Sequence, residues 1–100
     1  MKLLPYVLLI FNLLLAATSQ AESTRIAVAS NFTPVMKELI TEFEQNSMHK
    51  VKASYASSGK FYAQIYHGAP YDIFFSADQT KPLALEKEGL IIPASRFTYA

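Results

Sequence analysis

Across one hundred residues, nine basic side chains face eight acidic ones with no block of like sign. The chain therefore lacks the basic face that nucleic-acid binding by phosphate neutralisation requires. It contains no cysteine, which excludes disulfides as compensation for a small core and thiolates as metal ligands.

The chain opens on a targeting segment. Lys2 supplies a short positive start, Leu3 to Ala17 is apolar apart from Pro5 and Asn12, and Ser19 and Ala21 are the small residues a signal peptidase reads. Residues 1–21 are expected to be a cleavable signal peptide, which places the mature chain in the periplasm. The apolar run is shorter than the ~20 residues a membrane span needs. Loss of Lys2 takes the formal charge from +1 to 0. Residues 22–100 remain, a length that buries only about 60% of its unfolded surface. The aromatic-rich ending Arg96-Phe97-Thr98-Tyr99-Ala100 reads as the approach to a further strand, so a fragment of a longer protein is expected.

Arg25 to Ala29 reads as a buried strand. Phe32, Val35, Met36, Leu39, Ile40 and Phe43 then recur at steps of three and four, the apolar face of a helix, with Thr33 as its N-cap and Pro34 in its first turn. Val51, Ala53 and Tyr55 alternate with Lys52 and Ser54 as a second strand. A short helix is predicted from about Gly59 and stops at Gly68 and Pro70. Ile73-Phe74-Phe75 is a third strand, apolar enough to be buried. Asp78 or Thr80 is placed to cap a third helix that ends before Gly89. Strands alternating with helices predict an α/β fold, a parallel-sheet lobe with flanking helices. Such sheets bind ligands beyond the carboxyl ends of their strands.

Two hydroxyl clusters stand at those ends: Ser30-Asn31 after the first strand and Ser57-Ser58-Gly59 after the second. Capping is the ordinary use of such residues. Thr33 already serves the first helix, however, and one serine is enough for the second. A helix start exposes unpaired N–H groups at the positive end of its dipole, so two starts aimed at one point make a cradle for an oxyanion. Ser30, Asn31, Ser57 and Ser58 are accordingly the candidate ligand-binding residues.

Other chemistry finds less support. Ser57-Ser58-Gly59-Lys60 fits the Ser-x-x-Lys pattern of a serine hydrolase, but the companion Ser-Asp-Asn and Lys-Thr-Gly elements are missing. His49 and His67 have no second ligand at metal-binding spacing. Asp72 reads as a strand-edge residue, Asp78 as a cap at a strand end, and Tyr55, Tyr62, Tyr66, Tyr71 and Tyr99 as packing. The chain is therefore read as a binding protein and not an enzyme, without a cofactor. The clusters hold donors and no carboxylate. They suit an unprotonated dianion such as molybdate, tungstate or sulfate better than phosphate, which keeps a proton and needs an acceptor.

Ala27-Val28-Ala29-Ser30-Asn31-Phe32, Ala56-Ser57-Ser58-Gly59-Lys60-Phe61-Tyr62-Ala63-Gln64-Ile65, Gly68-Ala69-Pro70-Tyr71-Asp72-Ile73-Phe74-Phe75-Ser76-Ala77-Asp78-Gln79 and Ser95-Arg96-Phe97-Thr98-Tyr99-Ala100 resemble the periplasmic molybdate-binding component of ABC importers. The resemblance implies a type II periplasmic binding protein, two α/β lobes closing on the anion. Residues 22–100 would be the N-terminal part of an incomplete first lobe, with the second lobe absent. It implies oxyanion contacts from Ser30 with Asn31 and from Ser58, and delivery by a monomer to a membrane permease. Other members carry Ser-Ser-Ser-Thr where this chain has Ser57-Ser58-Gly59-Lys60. The alternative reading is a receptor for sulfate or another tetrahedral oxyanion.

Overall fold

A computed structural model describes residues 23–99. The expected signal peptide, residues 1–21, lies outside the described residues. Among those described, no helix is long and apolar enough to cross a membrane.

The described chain alternates strand and helix as the sequence predicts: β1 (Ser23–Ala29), α1 (Thr33–Gln45), β2 (Lys50–Ala56), α2 (Ser58–Tyr66), β3 (Ile73–Phe75) and α3 (Thr80–Lys87). The three strands form a parallel sheet in the order β2-β1-β3. β1 is thus central, and its run Ile26-Ala27-Val28-Ala29 is buried on both faces, as a parallel central strand must be.

Alternate residues of the sheet face opposite helices. Ile26 and Val28 pack with Met36 of α1, joined by Val51, Ala53 and Tyr55 from β2 and Phe75 from β3. On the other face Phe61 of α2, 1% exposed, meets Phe74 of β3 and Tyr71 edge-on, with ring centroids 6.1 and 5.5 Å away. α2 and α3 pack on each other on this side, and Leu85 of α3 is fully buried. Right-handed crossovers explain the division. The step from β1 to β2 puts α1 on one face, and the return step from β2 over β1 to β3 puts α2 on the other.

Helices α2 and α3 end in the same way. Gly68 and Gly89 adopt φ of 96° and 73°. The amides of Gly68 and Ala69 bond to the carbonyls of Ile65 and Gln64, and those of Gly89 and Leu90 to Glu86 and Leu85. Both are Schellman motifs, which need a left-handed residue that glycine supplies without steric cost.

Four local expectations are corrected. α1 begins at Thr33 and not after it: a single 3-10 turn, Ser30–Phe32, leads into it, and the Thr33 hydroxyl donates back to the Ser30 carbonyl at 2.7 Å. Only Met36 of α1 is buried, while Val35, Leu39 and Phe43 are about half-exposed, because three strands cover one stripe of a thirteen-residue helix. α2 begins at Ser58, with Ser57 as its cap. Finally, Ile73 is 47% exposed, because β3 is an edge of the described sheet.

Two substitutions test this packing. Phe61→Leu should cost about 1 kcal/mol and Phe61→Ala about 3–5 kcal/mol in urea denaturation, because alanine leaves a cavity between α2 and β3. Ala94 holds φ of 62° in a turn closed from Ser95 N–H to the Ile92 carbonyl at 3.2 Å, with Pro93 preceding it. That third turn position favours glycine. Ala94→Gly should therefore raise stability by about 0.5–1 kcal/mol, the relief of left-handed strain exceeding the added unfolded-state entropy.

Candidate functional site

The candidate residues meet at one edge of the sheet. Register pairs Ala29 with Ala56 and Val28 with Phe75, so Ser30, Ser57 and Ser76 begin three neighbouring loops at the carboxyl ends of the strands. Each loop opens a helix: α1 at Thr33, α2 at Ser58 and α3 at Thr80. All three positive dipole ends consequently face this edge. The chain leaves β1 towards one face and β3 towards the other, which makes the end of β1 the switch point where open α/β sheets form a crevice.

Ser58 defines the geometry. It is 8% exposed, and its hydroxyl accepts the Ala77 N–H at 2.8 Å. Ser58 follows β2 and Ala77 follows β3, the two strands that flank β1 on opposite sides. With strands about 4.8 Å apart, this bond spans the carboxyl end of β1, where Ser30 starts. A serine hydroxyl that accepts a main-chain N–H still has its own proton to give. The bond thus leaves the Ser58 hydroxyl with its donor capacity unspent.

Ser57 stands immediately before α2. Its hydroxyl accepts the Lys60 N–H at 3.1 Å, the N-cap of α2. Ser30 and Asn31 lie in the 3-10 turn with exposed side chains. The Ser30 carbonyl, which accepts the Thr33 hydroxyl, pins that turn to the start of α1.

The third loop was less legible. Ser76 accepts the Asp78 N–H through its hydroxyl at 3.3 Å and the Tyr99 O–H through its carbonyl at 2.9 Å. Asp78 does cap α3, from one residue before the N-cap position. Its carboxylate accepts the Lys81 N–H at 3.0 Å and the Lys81 ammonium at 2.8 Å. These bonds, the side-chain one first, hold the Asp78 carboxyl below its ordinary value of 3.8. Both oxygens are engaged, so the carboxylate at this edge is committed to Lys81. A Cβ at Gly59 would stand 3.5 Å from Lys81 Cε, an ordinary van der Waals contact, so α2 and Lys81 pass close to each other here.

Asp72 lies at the opposite end of the sheet and exchanges bonds with Arg25, each at 2.8 Å, tying the entry of β3 to β1. Among the described residues no group of three His, Cys, Asp or Glu side chains could hold a metal ion. An open concavity of about 620 Å³ runs along the outer face of α1, lined by Lys37, Glu38, Thr41, Glu42, Gln45 and Asn46. Its side chains belong to one helix flank and not to the converging strand ends.

Residues 24–100 match the family model described as bacterial extracellular solute-binding protein. The chain is 49% identical over 87 residues to a protein of Azotobacter vinelandii named molybdate-binding protein ModA, covering 87% of this chain and 34% of that one. It is 42% identical over 86 residues to a protein of the same name from Rhodobacter capsulatus, covering 86% of this chain and 34% of the relative. The structure superimposes on the periplasmic molybdate-binding protein of Azotobacter vinelandii with a TM-score of 0.74 and 43% identity, over 76% of this chain and 33% of that one. The chain thus spans about a third of the length of these relatives.

The Asp78–Lys81 pair makes a pH prediction. A carboxyl lowered on folding adds stability that is complete above its unfolded value and is lost as pH falls through its folded value. Asp78→Asn should therefore lower the urea midpoint slightly near pH 7, since the pair is partly exposed and screened. The native advantage should shrink as pH falls below 3.8 and vanish in stronger acid. A constant offset at all pH values would refute the assignment.

Proposed function

The chain belongs to the family of bacterial extracellular solute-binding proteins, and from that premise we propose that it forms part of the first lobe of a periplasmic receptor for molybdate or tungstate. In this reading the receptor is a monomer, leaves the cytoplasm on the leader of residues 1–21, and hands its anion to the membrane permease of an ABC importer. It binds and does not catalyse. The observation that carries the reading is the Ser58–Ala77 bond across the end of β1, beside Ser30.

The chemistry follows from the donor set. A tetrahedral dianion presents acceptors only, so each contact must come from an N–H or O–H. Ser30 and Ser58 give hydroxyl protons, and the turn Ser30–Phe32 that leads into α1 and the first turn of α2 give backbone amides. Asn31 adds a side-chain amide, and Ser57 holds the first turn of α2 in place. Bonds from such neutral donors to an ion are roughly twice as strong as those between neutral groups. Each helix end adds about half a positive charge without a counter-ion of its own. A protonated oxyanion would require an acceptor, and the Asp78 carboxylate at this edge is already held by Lys81. Similarity to relatives named for molybdate supports molybdate over sulfate.

Titration calorimetry on the native protein, both lobes included, tests the proposal. Ser58→Ala should weaken molybdate binding about 10–100-fold, the loss of a hydrogen bond to a charged group. Ser57→Ala should cost about 1 kcal/mol of stability, as a lost N-cap does, with affinity nearly unchanged. Sulfate added in competition should displace molybdate only at large excess. Unaltered binding by Ser58→Ala would remove this edge from the site, and equal competition by sulfate would reassign the anion.

A further inference from the structure

We propose that Tyr99 is a positioning residue of the oxyanion site, acting through the Ser76–Ala77 peptide group on the hydroxyl of Ser58. The inference rests on the reading of this strand edge as an anion site.

The connection runs through one rigid plane. The Ser76 carbonyl and the Ala77 N–H belong to the same peptide unit, whose atoms are coplanar. Tyr99 donates its hydroxyl proton to that carbonyl at 2.9 Å, and the N–H at the other end of the unit donates to Ser58 at 2.8 Å. Bonds linked in this way polarise one another. Electron density drawn towards the Ser76 oxygen makes the Ala77 N–H a better donor. That N–H in turn draws density from the Ser58 oxygen, making the Ser58 proton a better donor to an anion.

The ring supplies the geometry. It packs edge-on against Phe32 with centroids 5.1 Å apart, and edge-on against Phe75 at 5.4 Å. Phe32 closes the turn that begins at Ser30, and Phe75 is the last residue of β3. Tyr99 therefore holds the first loop of the site and the third in fixed relation while its hydroxyl orders the peptide between Ser76 and Ala77. Burial raises the Tyr99 pKa above its ordinary value of 10.0, so the phenol remains a donor throughout the neutral range.

Tyr99→Phe keeps both ring contacts and removes only the hydroxyl. Two measurements on the native protein read its effect: molybdate affinity by calorimetry and Ala77 amide exchange by NMR without ligand. Tyr99→Phe should weaken molybdate about 3–10-fold and speed Ala77 exchange about tenfold, with amides in the middle of α1 unchanged. In the Ser58→Ala background the same substitution should leave molybdate affinity unaltered, because the chain of bonds then ends before the anion. Additive losses in the double variant, or an unchanged Ala77 exchange rate, would overturn the proposal. Native protein that leaves molybdate unbound sinks the underlying reading instead, and the exchange rate then still decides whether Tyr99 holds this peptide.

Discussion

The hydrogen bond from the Ala77 amide to the Ser58 hydroxyl is the constraint around which this chain is arranged. It is possible only because the strand order is β2-β1-β3. The first residues after β2 and β3 stand on either side of the central strand, and a side chain must reach across its end to join them. The same order sends α1 and α2 to opposite faces, opening the crevice that the bond spans. Topology, core and candidate site are thus linked: the two-faced burial of Ile26 to Ala29 fixes the strand whose carboxyl end lies between Ser58 and Ala77.

Small side chains make that approach possible. Ala27 and Ala29 occupy the face of β1 on which α2 packs, and both are buried. Alanines there let α2 lie close to the sheet, with Phe61 filling the space towards β3. Larger residues would lift the helix and with it Ser58, whose reach to Ala77 has little slack at 2.8 Å. The apolar run read as a buried strand therefore also sets the height of the site above the sheet.

The elements themselves were legible, because helix and strand periods are written locally in the order of apolar residues. The position of the four hydroxyl and amide candidates at the strand ends was legible for a related reason: they follow strands and precede helices, and register alone then brings Ser30 and Ser57 side by side. What each serine does was not legible. Ser57 finds its partner three residues away and behaves as a cap. Ser58 finds its partner nineteen residues away, and no periodicity reports a bond of that length. Tyr99 was hidden for the same reason, since its hydroxyl partner lies twenty-three residues back. Thr33 misled because Thr-Pro is a good cap signal, yet the turn Ser30–Phe32 draws its hydroxyl backwards to the Ser30 carbonyl. The half-exposed Val35, Leu39 and Phe43 show how far a helical stripe can outrun the sheet available to cover it.

The charge balance gains its meaning from this geometry. A chain whose nine basic and eight acidic side chains nearly balance can still attract a dianion if its donors are backbone amides and hydroxyls held at fixed angles. A flexible lysine would bring a full charge, but also a strongly hydrated ammonium that must be ordered on binding. The Lys81 ammonium at this edge is bonded to Asp78 and so contributes a neutral pair. Pairing these two charges leaves the field of three helix starts uncancelled by Asp78. Such a field discriminates by proton count, because every fixed donor that meets a protonated oxygen loses an acceptor and gains a repulsive contact. A donor set without a free carboxylate is for that reason suited to an anion that holds no proton at neutral pH.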